Sequence, residues 1–227
     1  MNNFDWSQLI NPEFYILMEF GGIKIGLLVI LFIIFAETGL FAGFFLPGDS
    51  LLFLAGIYSE LLMQQISVGN DFANVVLLAS LVSLVGVLGN MVGYWFGVKG
   101  GAYLYNKEDT FWFKEKYLLQ SRDFFDKYGG KAIIFARFLP IFRTFAPIVA
   151  GIAAMDKKKF MFYNVISSIL WSFSMILSGH YLSALFLDKF GIDLKSHIEY
   201  IIIIIVLITT VPVLFKLLKK RVHKPRS

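Results

Sequence analysis

Four charged residues stand inside stretches that are otherwise apolar and aromatic. Arg137 and Arg143 lie in ARFLPIFRTFAPIVAG, residues 136–151, and Glu37 and Asp49 lie in AETGLFAGFFLPGDSLLFLAG, residues 36–56. Each would cost about 2.5–3.5 kcal/mol at the centre of a lipid-exposed helix, so each needs a reason to be there. Two acids and two bases cancel when they meet. A purely structural reading follows, in which the four form a buried salt-bridge cluster and Asp49 is an ordinary helix N-cap. Stability alone explains such a set poorly, because a buried ion pair stabilises less than apolar packing of similar volume. Arginine's planar fork, by contrast, matches a phosphate group. Helix N-termini opened by proline breaks add backbone N–H groups that favour anions. A carboxylate kept from water holds its proton to higher pH than usual. The set therefore suggests a site for an anionic headgroup with a protonatable partner.

Other chemistry finds little support. The sequence has no cysteine, which excludes disulfides, thiolate zinc sites and iron–sulfur clusters, and its three histidines, His180, His197 and His223, lie far apart. Walker, HExxH and GxSxG motifs are absent, so neither catalysis nor a cofactor is expected. Gly89, Gly93 and Gly97 recur every four residues in GNMVGYWFG, the pattern of close helix packing rather than of a dinucleotide loop. On the same stretch, Asn90 and Tyr94 are candidates for lining a cavity, or for bonding a neighbouring helix.

The elements that must position these residues are membrane elements. Hydrophobic residues make up 57% of the 227-residue chain, and its mean hydropathy is +0.70, well above a soluble domain. Apolar runs predict spanning helices near 16–36, 72–98, 160–187 and 198–216. The N-terminus MNNFDWSQLI lacks a basic n-region and a cleavage site, so these runs are expected to stay in the mature chain. The net charge of +5 is concentrated in a basic tail, residues 216–227, placed directly after a span. That placement fits orientation and anionic-lipid contact rather than nucleic acid. With the tail and the seven basic residues of 99–131 cytoplasmic, both flanks of the arginine stretch fall on one side. A re-entrant hairpin over about 132–155, broken at Pro140 and Pro147, resolves the conflict. The same bookkeeping puts a second hairpin over about 37–58, broken at Pro47 and Gly48 and opening from the other side. The expected architecture is thus all-α: a single polytopic membrane domain with two oppositely oriented re-entrant hairpins, an inverted repeat of the kind found in transporters. Residues 108–128 carry Phe113, Tyr117, Phe124 and Tyr128 at helical spacing between charges, an amphipathic cytoplasmic helix lying on the membrane surface or against the bundle.

These stretches also carry a family resemblance. FARFLPIFRTFAPIVAG, residues 135–151, resembles the F-x-x-R-F-x-P-x-x-R-x-x-x-P-x-x-A-G signature of the DedA family, also called SNARE-associated or VTT-domain proteins. Glu37 through Pro47-Gly48-Asp49 is similar to the family's acidic hairpin, and GNMVGYWFG to its glycine-rich helix, where Asn90 replaces a frequent Asp. The resemblance implies a helical protein of the bacterial inner membrane with two oppositely oriented re-entrant hairpins, and the placement of Lys and Arg puts both termini on the cytoplasmic side. It also implies lipid translocation, with undecaprenyl phosphate the leading substrate and phosphatidylethanolamine or another phospholipid the alternative. Carried over by position, Arg137 and Arg143 would contact substrate phosphate, and Glu37 and Asp49 would couple transport to protons. A small-molecule/proton antiporter using the same charges is the alternative of a different class, and a non-transporting scaffold is a third. The implied partners are a phosphate-bearing lipid, the bilayer and protons, with a homo-oligomer allowed and nucleic acid not.

Overall fold

The computed structural model describes residues 12–40, 48–66, 69–105, 123, 125, 127–197 and 200. Within them the chain is almost entirely helical, as expected of an all-α membrane protein. A short helix α1 (Pro12–Ile16) leads into a two-stranded ribbon, β1 (Glu19–Phe20) and β2 (Ile23–Lys24), and then helix α2 (Gly26–Gly39). Next come α3 (Gly48–Ile57), α4 (Ser59–Met63) and the long α5 (Asp71–Tyr105). The arginine stretch forms α6 (Lys131–Arg137) and α7 (Pro140–Ile152), followed by the long α8 (Lys157–Phe190) and a 3-10 turn (Leu194–His197).

Among the described residues two helices, Asp71–Gly101 and Lys157–Phe190, are long and apolar enough to cross a membrane. The others are short. Helix α2 has 14 residues, α3 has 10, α6 has 7 and α7 has 13. At 1.5 Å per residue each falls short of a hydrocarbon core about 30 Å thick.

Three expectations need correction. The span expected over 16–36 is not one helix, because Gly21 and Gly22, with φ of 59° and 81°, turn the chain back on itself. Positive φ at both central residues is the geometry of a two-residue hairpin, and Glu19 pairs with Lys24 across it. This small ribbon is the one departure from a purely helical chain among the described residues. Glu37, expected to open a hairpin, instead lies in the last turn of α2. Finally, Pro147 does not break its segment: α7 runs through it to Ile152. Its missing N–H deprives the Arg143 carbonyl of the usual i−4 donor, but flanking bonds and burial hold the helix. The break falls at Phe138–Leu139. Leu139 is extended (φ −112°, ψ 110°), as a residue before proline prefers, and Pro140 opens α7 at its first position. Pro47, the helix near 198–216, the basic tail and most of 108–128 lie outside the described residues.

Glycine sets how closely the helices approach. A Cβ on Gly97 would overlap the Ile148 carbonyl, and one on Gly151 would overlap the Tyr94 carbonyl, so α5 and α7 cross backbone to backbone. A Cβ on Gly89 would overlap Thr38, which locks the end of α2 against α5. Helix α3 lies on α8 in the same way, through Gly56 and Gly179. The main apolar core joins α2, α3, α5 and α8 through Ile30, Leu51, Leu54, Leu78 and Trp171. At the far end of α8, His180 bonds Ser59 of α4 through Nδ1 and Asp71 of α5 through Nε2, each at 2.9 Å.

Candidate functional site

The close crossings bring the four charges into two contrasting environments. Arg143, on the first turn of α7, forks between two carboxylates. Its Nη2 donates to Glu37 Oε1 at the end of α2, and its Nη1 donates to Asp49 Oδ1 at the start of α3. Gly48 makes this possible, since a Cβ there would overlap the Glu37 carboxylate. Asp49 lies inside the first turn of α3 rather than at the N-cap position, and it ties α3 to α7.

Arg137, the last residue of α6, is different. Only 2% of it is exposed, yet its Nε, Nη1 and Nη2 have no hydrogen-bond partner among the described residues. Its guanidinium sits against Gly86 of α5, where a Cβ would collide with Nη2. Buried polar groups are nearly always paired, and a buried charge more so. One oxygen of Glu37, Oε2, and Nε of Arg143 are unpartnered as well.

Trp171 of α8 joins the two environments. Its ring lies 5.0 Å from Arg137 Cζ and 4.7 Å from Arg143 Cζ, and its Nε1 donates to Asp49 Oδ1 at 2.9 Å. The ring face attracts both cations while its edge holds one of their counter-ions. Trp171 is not among the residues that stand out in the sequence by charge. Its signal was a polar stripe at helical spacing, Asn164, Ser167, Ser168, Trp171 and Ser172, all buried in an apolar span.

The two residues considered for cavity lining have defined partners. Asn90 Nδ2 donates to Asn164 Oδ1 at 2.8 Å, and Asn164 Nδ2 in turn donates to the Val87 carbonyl at 3.1 Å, clamping α8 to α5. Asn90 Oδ1 is buried without a hydrogen-bond partner among the described residues. Tyr94 donates its hydroxyl to the Met155 carbonyl at 2.6 Å and stacks on Phe160. Among the described residues, no group of His, Cys, Asp and Glu is placed to hold a metal ion.

With this geometry in hand, the likeness to known proteins becomes informative. The VTT domain profile matches residues 46–181. The chain belongs to the DedA family. It is 33% identical over 193 residues to Protein DedA of Escherichia coli K12, covering 85% of this chain and 82% of that one. It is 36% identical over 197 residues to an uncharacterized membrane protein of Mycobacterium tuberculosis, covering 87% and 80%. A third relative is inner membrane protein YghB of Escherichia coli K12, 32% identical over 187 residues, covering 79% and 74%. No solved structure shows significant similarity. The names of two of these relatives agree with the apolar helices that this is a membrane protein. For this DedA-family chain, the span matched by the domain profile holds Asp49, Arg137, Arg143 and Trp171. Glu37 lies just upstream of it, and the α2–α5 crossing is what brings it to Arg143.

Proposed function

We propose that this protein moves a lipid with a phosphate headgroup across the bilayer, with undecaprenyl phosphate the leading substrate. The observation that carries the reading is the Arg137 guanidinium, fully buried and without a hydrogen-bond partner among the described residues. A cation so placed is costly in an empty site and is satisfied by an arriving anion. A phosphate oxygen pair is the partner that the guanidinium fork fits best. Arg143 also lies over the Trp171 ring, 4.7 Å from it, and supplies the second fork once its carboxylates let go.

In this reading the α2–α3 and α6–α7 pairs are re-entrant, dipping in from opposite sides, and their charges meet at depth. The shortness of all four helices and the convergence of Glu37, Asp49, Arg137 and Arg143 support it. The lipid tail stays in the bilayer while the headgroup crosses through the polar site. Glu37 and Asp49 balance the arginines in the empty state. Protonating them frees Arg143 for phosphate, which couples transport to a proton gradient. The chain sits in the bacterial inner membrane with both termini cytoplasmic.

The test is transbilayer movement in liposomes. Purified wild type and Arg143→Ala, reconstituted in equal amounts, are compared on a polyprenyl phosphate and on phosphatidylethanolamine. Selective, arginine-dependent movement of the polyprenyl lipid is expected. Movement of phosphatidylethanolamine alone would change the substrate. Inactivity toward both lipids in a well-folded sample would remove lipid translocation.

A further inference from the structure

The α6–α7 hairpin has two faces, and only one carries the arginines. The other borders a cavity of about 1010 Å³, at the upper end of the range for small-molecule sites. Its walls include Phe135, Phe142 and Phe145, with small residues Ala132, Ala136 and Ala146 leaving the space between them. Phe135 is 71% exposed, an apolar ring that the described residues leave largely open. A plain lipid-facing helix surface is convex and needs no cavity; this one is concave. It is also polarised. Lys127 and Lys131 line it beside the start of α6, and no acidic residue is among the described residues that do. Leu139, at the break between α6 and α7, lines it too.

The geometry points to a loading groove for an anionic lipid, with its headgroup on Lys127 and Lys131 and its chain along Phe135, Phe142 and Phe145. The charge pattern matches that of an amphiphile: cations at one end, aromatic and aliphatic walls over the rest. The groove also explains how a lipid reaches the arginines. Ala136, which lines it, adjoins Arg137, and Phe142 adjoins Arg143, so groove and ion cluster lie on neighbouring faces of the same two helices, about 100° apart. From Lys131 to Arg137 the helix rises about 9 Å. A headgroup released from the lysines has that short distance to travel while the chain keeps its apolar contacts. This inference rests on the proposed movement of a phosphate-bearing lipid and adds the site where that lipid first binds.

The experiment is photolabelling of the full-length protein in phosphatidylcholine nanodiscs, using geranylgeranyl phosphate with a diazirine on its chain. Labels are expected within residues 135–146, competed by unlabelled geranylgeranyl phosphate and not by added phosphatidylcholine. Ala136→Phe, which fills the groove, is expected to reduce labelling by about tenfold. Lys127→Glu with Lys131→Glu, both on exposed side chains and safe for folding, is expected to do the same. Arg137→Ala should keep the label while losing lipid movement in liposomes. Labelling spread over every lipid-facing helix, or unaffected by both the filled and the charge-reversed variants, would overturn the groove and leave the arginine reading standing. Groove labelling kept alongside lipid movement that ignores Arg137→Ala would instead sink that reading.

Discussion

Replacing each arginine by methionine should change stability in opposite directions. Methionine keeps an unbranched apolar side chain and removes the charge. At position 137 the folded protein loses a buried cation whose three nitrogens have no partner among the described residues. Each unsatisfied buried donor costs about 1–3 kcal/mol. The unfolded chain escapes that cost by letting the side chain snorkel to water. Against the gain stands the contact with Trp171, worth about 0.5–2 kcal/mol. Exchange of a buried ion pair or triad for apolar residues is neutral or gains about 1–4 kcal/mol in other proteins, and Arg137→Met, which removes a cation with no counter-ion bonded to it among the described residues, should gain within that range. At position 143 the same exchange strands Glu37 and Asp49, and breaking a buried pair from one side costs about 3–5 kcal/mol. The two variants should therefore differ by at least about 4 kcal/mol, near three decades in the unfolding equilibrium. Reversible unfolding in mixed micelles, followed by circular dichroism, reads the difference, and liposome transport should be lost in both. If Arg137→Met destabilised as Arg143→Met does, Arg137 would be a paired structural cation, and its role as a waiting anion site would fail.

Two more changes probe the same cluster. Glu37→Gln leaves two cations facing one carboxylate, so affinity for a phosphate lipid should rise by about tenfold or more while turnover and its response to a pH gradient fall; unchanged affinity in a binding titration would refute the balance of charges. Trp171→Phe keeps a ring beside both guanidiniums but drops the N–H to Asp49, costing about 1.5–3 kcal/mol, whereas Trp171→Ala loses both contacts and should retain no transport; equal behaviour of the two variants would deny the ring any part in placing the arginines.

Much of this site is legible in the sequence because cost is legible. A charge inside an apolar run is expensive wherever the run folds, so Glu37, Asp49, Arg137 and Arg143 stand out without coordinates. The long helices are legible for the same reason, although α5 and α8 run beyond the predicted 72–98 and 160–187. Hydropathy marks where a chain prefers lipid, whereas the helix ends where its hydrogen bonds end. Asp156 caps α8 by accepting the Lys159 N–H, and Gly191 ends it in a left-handed conformation, both outside the apolar run. Local backbone chemistry was harder to read. Gly21-Gly22 turned an apparent span into a ribbon, and Pro147 was absorbed by a helix that its neighbours hold. Hardest of all was partner choice. Nothing in the spacing says that Arg143 takes both carboxylates and leaves Arg137 with none, because the glycine crossings at Gly48, Gly86 and Gly89 decide it. Trp171 and Asn164 were missed because aromatic and amide side chains in a span look like ordinary packing until their partners are known.

That unequal sharing is itself an argument for movement rather than for scaffolding. A cluster in which every charge were paired would have to break a buried pair, at about 3–5 kcal/mol, before any anion could bind. With both arginines bare, the cluster would bind strongly and release slowly, and the apolar core around Trp171 would carry two uncompensated cations. The observed arrangement lies between these. In the proposed cycle Arg137 receives the phosphate without giving up a partner, so the first contact is not opposed by a lost ion pair. Arg143 can then join only by exchanging Glu37 and Asp49 for phosphate oxygens, a trade that becomes favourable when the carboxylates take up protons. Deprotonation on the far side draws Arg143 back and leaves the headgroup held by one fork instead of two. A purely structural cluster has no use for this asymmetry. A carrier that must both capture and release its cargo does.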